Sequence, residues 1–504
     1  MKRTKIVCTL GPASEDPATI EALVKAGCNV VRLNMSHGDY DWHECAIKNV
    51  RAAAKKTGEP VAIVLDLQGP KVRLGEVHNS QFTIHSGDRV VFTTSKVVIP
   101  RSHKATRNPV GKSMGSFTAF RMTSSKIPIA MPNFHKYVRR GSHLLIADGT
   151  IECVVERVVG HDIQTKIILG GELKSHKGIA IAGVSLPLPS LTAKDKRDVQ
   201  WARVQDIDFV ALSFVKRVED VRALRKKLSF GPRRNTKAKL WMPAIIVKIE
   251  TREAVRNFNE ILCEADGVMI ARGDLALATS PEEVPIIQKE IIEKCRQSSV
   301  PVIVATEMLA SMEHSPRPTR AEASDVANAV IDHTDAVMLS GESATGQYPV
   351  ETVATMAHII KKTEQSRFDN LPIDPRLSLG DKRFSFGQGE TEIALAASVL
   401  ARTKGAAAIV ASSLTGHIGR LLSSYRSEIF LFIGSPIPHV VRELNLSWGV
   451  RPFYVPKAKT MDALLKYLLA HARQSGLKKG SKAVFVGSKK LAPHASDLLG
   501  TQIL

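Results

Sequence analysis

Lys248 and Glu250 stand two residues apart at the end of a short apolar run, AIIVKIET. In an extended strand, positions i and i+2 point to the same face, so this cation and this carboxylate share a side. Such a pair suits phosphoryl chemistry. The ammonium stabilises charge on a moving phosphoryl group, and the carboxylate offers hard oxygen to Mg²⁺ or Mn²⁺. Asp274, closing the next run (GVMIARGD), adds a second carboxylate, and two carboxylates with substrate oxygens suffice for Mg²⁺. Plainer readings stand beside these: a mutual Lys248–Glu250 ion pair, and Asp274 as a turn residue after Arg272-Gly273. Other apolar runs also end in polar clusters. These are Arg32, Asn34, Ser36 and His37; Asp66, Lys71 and Arg73; Thr306; and Ser340 with Glu342. Charges gathered at rims are costly unless paired or functional. No GxxxxGK[ST] sequence occurs, which argues against a Walker-type nucleotidase.

These residues need a frame that brings strand ends together. Eight β-rich runs cover 5–11, 30–38, 61–69, 209–215, 244–251, 267–274, 300–308 and 336–342, apolar through their centres like strands buried on both faces. Helical spacing marks 17–27, 42–56, 218–228, 252–264, 281–296, 321–332 and 350–364. Strand–helix repeated eight times predicts a (β/α)₈ TIM barrel, with function at the C-terminal strand ends. The alternative is a doubly wound open sheet. The barrel takes 1–69 and 188–360. Residues 70–187 alternate β-like runs with turns and contain no long helix. They predict an inserted all-β lid domain, drawn as a small β-barrel. After a turn-rich connection, 361–504 reads as a C-terminal open α/β domain with helices starting at 390, 417, 438 and 461.

The 504 residues are 44% hydrophobic and 24% charged, a globular composition long enough for several domains. The six cysteines are scattered without CxxC or zinc spacing and predict reduced core or near-core thiols. No apolar run reaches the length of a membrane span and the N-terminus lacks a signal-peptide core, so the expected location is cytoplasmic. The net charge of +21 raises nucleic-acid binding. The Lys and Arg are spread along the chain without a recognition motif, so a basic surface that attracts phosphorylated small molecules is the preferred account.

Several segments carry a resemblance across nearly the full chain: TKIVCTLGPAS, VVRLNMSHG, DLQGPKVRLG, IIVKIET, MIARGDL, PRPTRAEASDVANAV and MLSGESATGQYP. They are similar to the pyruvate kinase family. The resemblance implies phosphoryl transfer from phosphoenolpyruvate to ADP, giving pyruvate and ATP at the end of glycolysis. It implies Arg32 and Lys248 on the phosphoryl group, and Glu250 with Asp274 on Mg²⁺. Gly273, Asp274 and Thr306 would hold the substrate carboxylate, with Thr306, Ser340 and Glu342 as proton-relay candidates. Asn34, His37, Arg73 and Lys177 would meet the nucleotide, and the inserted domain, with Asp148 as a retained contact, would close as a lid. A homotetramer is implied as well.

Departures sharpen the reading. The family's potassium site corresponds to Asn34, Ser36, Asp66 and the Leu67 carbonyl. Lys71 stands where potassium-dependent members carry Glu, so an ammonium replaces the K⁺ charge and K⁺ is expected to be dispensable. The alternative is a solvated Lys71. In the last domain Ser412, Ser413, Thr415 and Gly416 lie between a strand and a helix and resemble the pocket for a phosphorylated allosteric effector; simple helix capping is the competing reading. The competing functions are another phosphoenolpyruvate/pyruvate barrel enzyme, and a regulatory or nucleic-acid-binding paralogue.

Overall fold

In the computed structural model, residues 2–77, 81–95, 126–147, 149–229, 242–369, 371–373, 388–458, 460–487 and 498–503 are described. Eight parallel strands close a barrel: Lys5–Thr9, Val30–Asn34, Ala62–Asp66, Phe209–Leu212, Ala244–Ile249, Gly267–Ala271, Val302–Ala305 and Ala336–Leu339. Each pairs with its chain neighbours, and the first pairs with the eighth (Val7 with Met338). The open-sheet alternative is thereby set aside. Alternating inward residues such as Val7, Val64, Ile246, Met269 and Ile303 fill the barrel as a packed core.

The strands are shorter than the apolar runs, because the polar run ends leave the sheet. Two become helices: Arg272–Ala278 and Gly341–Ala344 start where strand endings were expected, so Asp274 and Glu342 lie in first helical turns. The expected helix 252–264 is instead Arg252–Arg256 and Phe258–Leu262. Asn257 divides them, and its side-chain amide donates to the Lys216 carbonyl. A helix at Ala193–Ala202, absent from the sequence reading, starts on a reciprocal Thr192–Asp195 capping box.

The chain divides into two compact units. The first holds residues 1–69, 189–272 and 282–504, and so includes the last domain. There a five-stranded sheet runs Val450–Tyr454, Phe430–Ser435, Ala408–Ser412, Lys482–Gly487 and Leu498–Ile503. Its final, antiparallel strand was not foreseen. Leu446 of this domain reaches the core inside the barrel's floor.

The second unit holds 70–188 and 273–281. Its strands are all-β as expected, but among the described residues they form an open six-stranded sheet and a two-stranded ribbon, not a closed barrel. Ribbon and sheet share one core, with Ile84 and Leu173 packed among Phe92, Leu144 and Ile163. Cys8, Cys28, Cys153 and Cys295 are buried free thiols; Cys45 and Cys263 are exposed, which corrects the near-core expectation for those two.

Candidate active site

The end of the fifth strand places Lys248 inside the barrel mouth, 9% exposed. Its ammonium lies 2.9 Å from Glu250 Oε1, 3.3 Å from Asp66 Oδ1 and 2.9 Å from Ser213 Oγ. The mutual ion pair weighed from the sequence is therefore present, within a larger network. Asp66 Oδ2 accepts from Arg32 Nε at 2.7 Å, and Arg32 Nη1 donates to Thr9 Oγ1 at 3.0 Å. Glu250 Oε2 accepts the Phe214 backbone N–H at 2.6 Å. Burial alone would lower the Lys248 pKa, but Asp66 and Glu250 outweigh it and leave the ammonium raised. Burial likewise pushes the Asp66 carboxyl up, and Lys248 and Arg32 outweigh that and hold it low. The buried Lys248 ammonium and Asp66 carboxylate thus each favour their charged form.

The mouths of strands seven and eight are held under backbone strain. Thr306 and Glu307 have φ of 71° and 55°, in the left-handed region a β-branched residue rarely enters. Arg272 holds this turn: its guanidinium donates to the Thr306 carbonyl at 2.8 Å and binds Asp325 with both Nη atoms, at 2.8 and 2.7 Å. Glu342, 2% exposed, accepts N–H groups from Leu309 at 3.1 Å and Ser340 at 2.6 Å, tying the two mouths together. Burial pushes its carboxyl pKa up despite those bonds. Gly341 leaves room for the Glu313 carboxylate, with which a Cβ there would collide.

Within the second unit, Gly273 and Asp274 occupy the first turn of Arg272–Ala278, and Asp274 Oδ1 lies 3.1 Å from Lys71 Nζ. A Cβ on Gly178 would come within 2.8 Å of Lys71 Cε, so the lysine stem is laid against that backbone. Lys71 is one-quarter exposed and ion-paired with Asp274. Arg73 donates to the His176 carbonyl at 3.0 Å, and Lys177 is exposed with its carbonyl taking the Leu74 N–H.

A profile described as pyruvate kinase, barrel domain, matches residues 1–353, and one described as pyruvate kinase, alpha/beta domain, matches 391–499. The chain belongs to the pyruvate kinase family. A pyruvate kinase of Geobacillus stearothermophilus is 40% identical over 489 residues, 96% of this chain and 77% of that protein. One from Sporosarcina psychrophila is 39% identical over 92% of this chain and 74% of that protein. A crystal structure of a pyruvate kinase from Cryptosporidium parvum superposes with a TM-score of 0.82 at 30% identity, covering 100% of this chain and 96% of that one.

The other positions carried over from pyruvate kinases vary in how they are built. Asn34 Oδ1 accepts the Ser36 N–H at 3.1 Å, and the Leu67 carbonyl accepts from Ser213 Oγ at 2.7 Å. His37 is exposed, its carbonyl 3.0 Å from the His43 ring. In the last domain Gly416, in the left-handed conformation, is the N-cap of His417–Ser424. Thr415, just before it, accepts the His417 N–H on Oγ1 at 3.4 Å, the kind of contact the capping reading expects. Ser412 ends its strand, half-buried. Asp148 falls outside the described residues.

Sequence reasoning missed Ser213, Phe214 and Arg272. Ser213 and Phe214 close the fourth strand's run, FVALSFV, just as the chosen residues close theirs. Phe214 is marked further by φ of 53°, which aims its N–H at Glu250. Arg272 stood beside Asp274 in RGD, but its partner Asp325 lies 53 residues away.

Proposed function

We infer that this chain is a phosphotransferase that moves the phosphoryl group of phosphoenolpyruvate to ADP, giving pyruvate and ATP. Family membership carries the reaction class. The observation that carries the assignment of roles is the buried Lys248 ammonium between Asp66 and Glu250. Lys248 and Arg32 are positive groups fixed before substrate arrives, so little reorganisation is needed as charge grows on the transferring phosphoryl. Glu250 and Asp274 offer hard carboxylate oxygens, a donor set that fits Mg²⁺ or Mn²⁺ better than a softer metal. Such an ion, when bound, supplies charge neutralisation at the phosphoryl oxygens. Thr306 and the N–H groups of Gly273 and Asp274 hold the substrate carboxylate. Departure of the phosphoryl leaves an enolate, and its carbon takes a proton through the Thr306, Ser340 and Glu342 group. Burial, which raises the Glu342 carboxyl, moves it toward the protonated form.

Asn34, His37, Arg73 and Lys177 bind the nucleotide, and the inserted unit excludes water during transfer. Lys71, fixed against Asp274, replaces the K⁺ that Asn34, Ser36, Asp66 and Leu67 would otherwise hold. A phosphorylated effector at Ser412, Ser413, Thr415 and Gly416, a homotetrameric assembly and a cytoplasmic location complete the reading. No helix among the described residues is long and apolar enough to cross a membrane.

The test is release of pyruvate from phosphoenolpyruvate with Mg²⁺, with and without ADP. Strictly ADP-dependent release is expected. ADP-independent release would point to a lyase, and no release with salt-sensitive nucleic-acid binding would point to an idle paralogue.

A further inference from the structure

The inserted unit carries a concave basic site that the phosphoryl-transfer reading does not use. Residues 70–187 contain 17 Lys and Arg against 7 Asp and Glu, so under a quarter of the chain carries ten of its +21 charges. Part of that surplus borders a cavity of about 610 Å³, within the range of small-molecule sites. One wall is the sequence Lys136-Tyr137-Val138-Arg139-Arg140. Lys136, Arg139 and Arg140 are exposed and make no ion pair among the described residues. The nearby Glu156 feels Arg140, but its two oxygens are taken by Arg89 at 2.9 and 3.1 Å. The apolar part of the lining is Ile181, which is buried, with Val184 and Tyr137, which are 44% and 36% exposed.

The turn that presents the cations is fixed. Ser142 Oγ accepts the Arg139 N–H at 3.0 Å, the Ser142 N–H returns to the Arg139 carbonyl at 2.9 Å, and the Gly141 N–H donates to Val155 at 2.8 Å. Gly141, with φ of 86°, lets the chain make that turn. The apolar wall is tied to it, since the Ala182 N–H donates to the His143 carbonyl at 3.0 Å. The next residue, Gly183, donates to the Leu277 carbonyl at 3.4 Å, within the segment that carries Asp274.

A run of surface charge is most often only a solvated face. Three cations that make no ion pair among the described residues, held by a fixed turn beside a hollow also lined by Tyr137, Ile181 and Val184, form a two-part recognition surface instead. Phosphates match the cations, and a flat apolar body matches Tyr137, Ile181 and Val184. We propose that this cavity is a second binding site, for a nucleoside polyphosphate, and that occupancy is felt through residues 181–184 by the segment bearing Asp274. It shares no residue with Arg73 or Lys177, the nucleotide positions of the reaction itself.

Hydrogen exchange on the full-length enzyme reads the site directly, with ATP as probe and inorganic tripolyphosphate as an anion lacking the flat body. ATP is expected to protect amides in 136–143 and 179–184. R139Q/R140Q should weaken that protection at least about tenfold, the loss of two charge-assisted hydrogen bonds, with basal kcat retained. Tyr137→Ala should weaken ATP and leave tripolyphosphate unchanged. The proposal is overturned if millimolar ATP leaves both segments unprotected, or if the protection is equal in R139Q/R140Q. It is also overturned if only single-stranded poly(U) protects them, which would make the face a nucleic-acid platform.

Discussion

The two ends of the barrel both bury charge, and they do so differently. At the floor, Asp208, Asp266 and Asp335 each directly precede an even-numbered strand, and each accepts a backbone N–H from the strand before it: Ile63, Ile245 and Val302. Arginines complete all three, Asp266 through Arg225 at 3.2 Å. Asp208 binds Arg51 and Arg442 at 2.7 and 2.6 Å. Asp335 binds Arg426 at 2.7 Å and the Trp448 N–H at 2.9 Å, with Trp448 between the guanidinium groups of Arg426 and Arg3. At the mouth, Arg32 and the Phe214 N–H also bind Asp66 and Glu250, but the two carboxylates meet through Lys248, a compact point charge. The floor saturates carboxylates with planar, permanently charged forks and backbone donors, which locks the last domain under the barrel. The mouth holds its carboxylates around one buried lysine ammonium. The contrast separates stability from chemistry within one sheet.

Substitutions at the two ends should therefore split cleanly. The largest effect is expected from Glu250→Gln: kcat/KM falls about 10³-fold and the Mg²⁺ concentration for half-activity rises, read by pyruvate release across a Mg²⁺ titration. At the floor, Arg426→Met strands a buried Asp335. It should cost about 3–5 kcal/mol in denaturant unfolding, with kcat per folded enzyme unchanged. A loss of kcat there would erase the distinction.

Asp66 brings pH into the comparison. Because Lys248 and Arg32 hold its folded pKa below the unfolded value near ~3.9, its contribution is present above that value and lost as pH falls through the lower folded one. The stability gap between wild type and Asp66→Asn should thus be full at neutral pH and shrink below about pH 4 in chemical unfolding. Lys71→Glu should confer K⁺ dependence of at least about tenfold in kcat, measured against tetramethylammonium; tenfold corresponds to about 1.4 kcal/mol. The smallest effect belongs to Thr319→Ala. It opens the Thr319–Glu322 capping box of Arg320–Ile331 and should cost about 1 kcal/mol with kinetics intact.

Much of this was legible in the residues. The eight strands were, because strands buried on both faces leave continuous Val and Ile runs, and the strand ends pointed to Lys248 and Glu250. The network around them was less so. Asp66 read as a cation ligand, and its bonds to Arg32 and Lys248 depend on the register of strands two, three, four and five. The short helices carrying Asp274 and Glu342 were hidden because their polar first turns follow the strands directly and read as strand endings. The floor was invisible: Arg442 lies 234 positions from Asp208, and nothing local marks either as a partner.

The most direct test of the account is the rate of ADP-dependent pyruvate release by Lys248→Met beside wild type. The expected result is a fall in kcat of about 10³-fold or more, with phosphoenolpyruvate KM changed far less and a cooperative unfolding transition retained. A folded Lys248→Met enzyme with kcat within about tenfold of wild type would contradict the assignment of the buried ammonium to the transferring phosphoryl group.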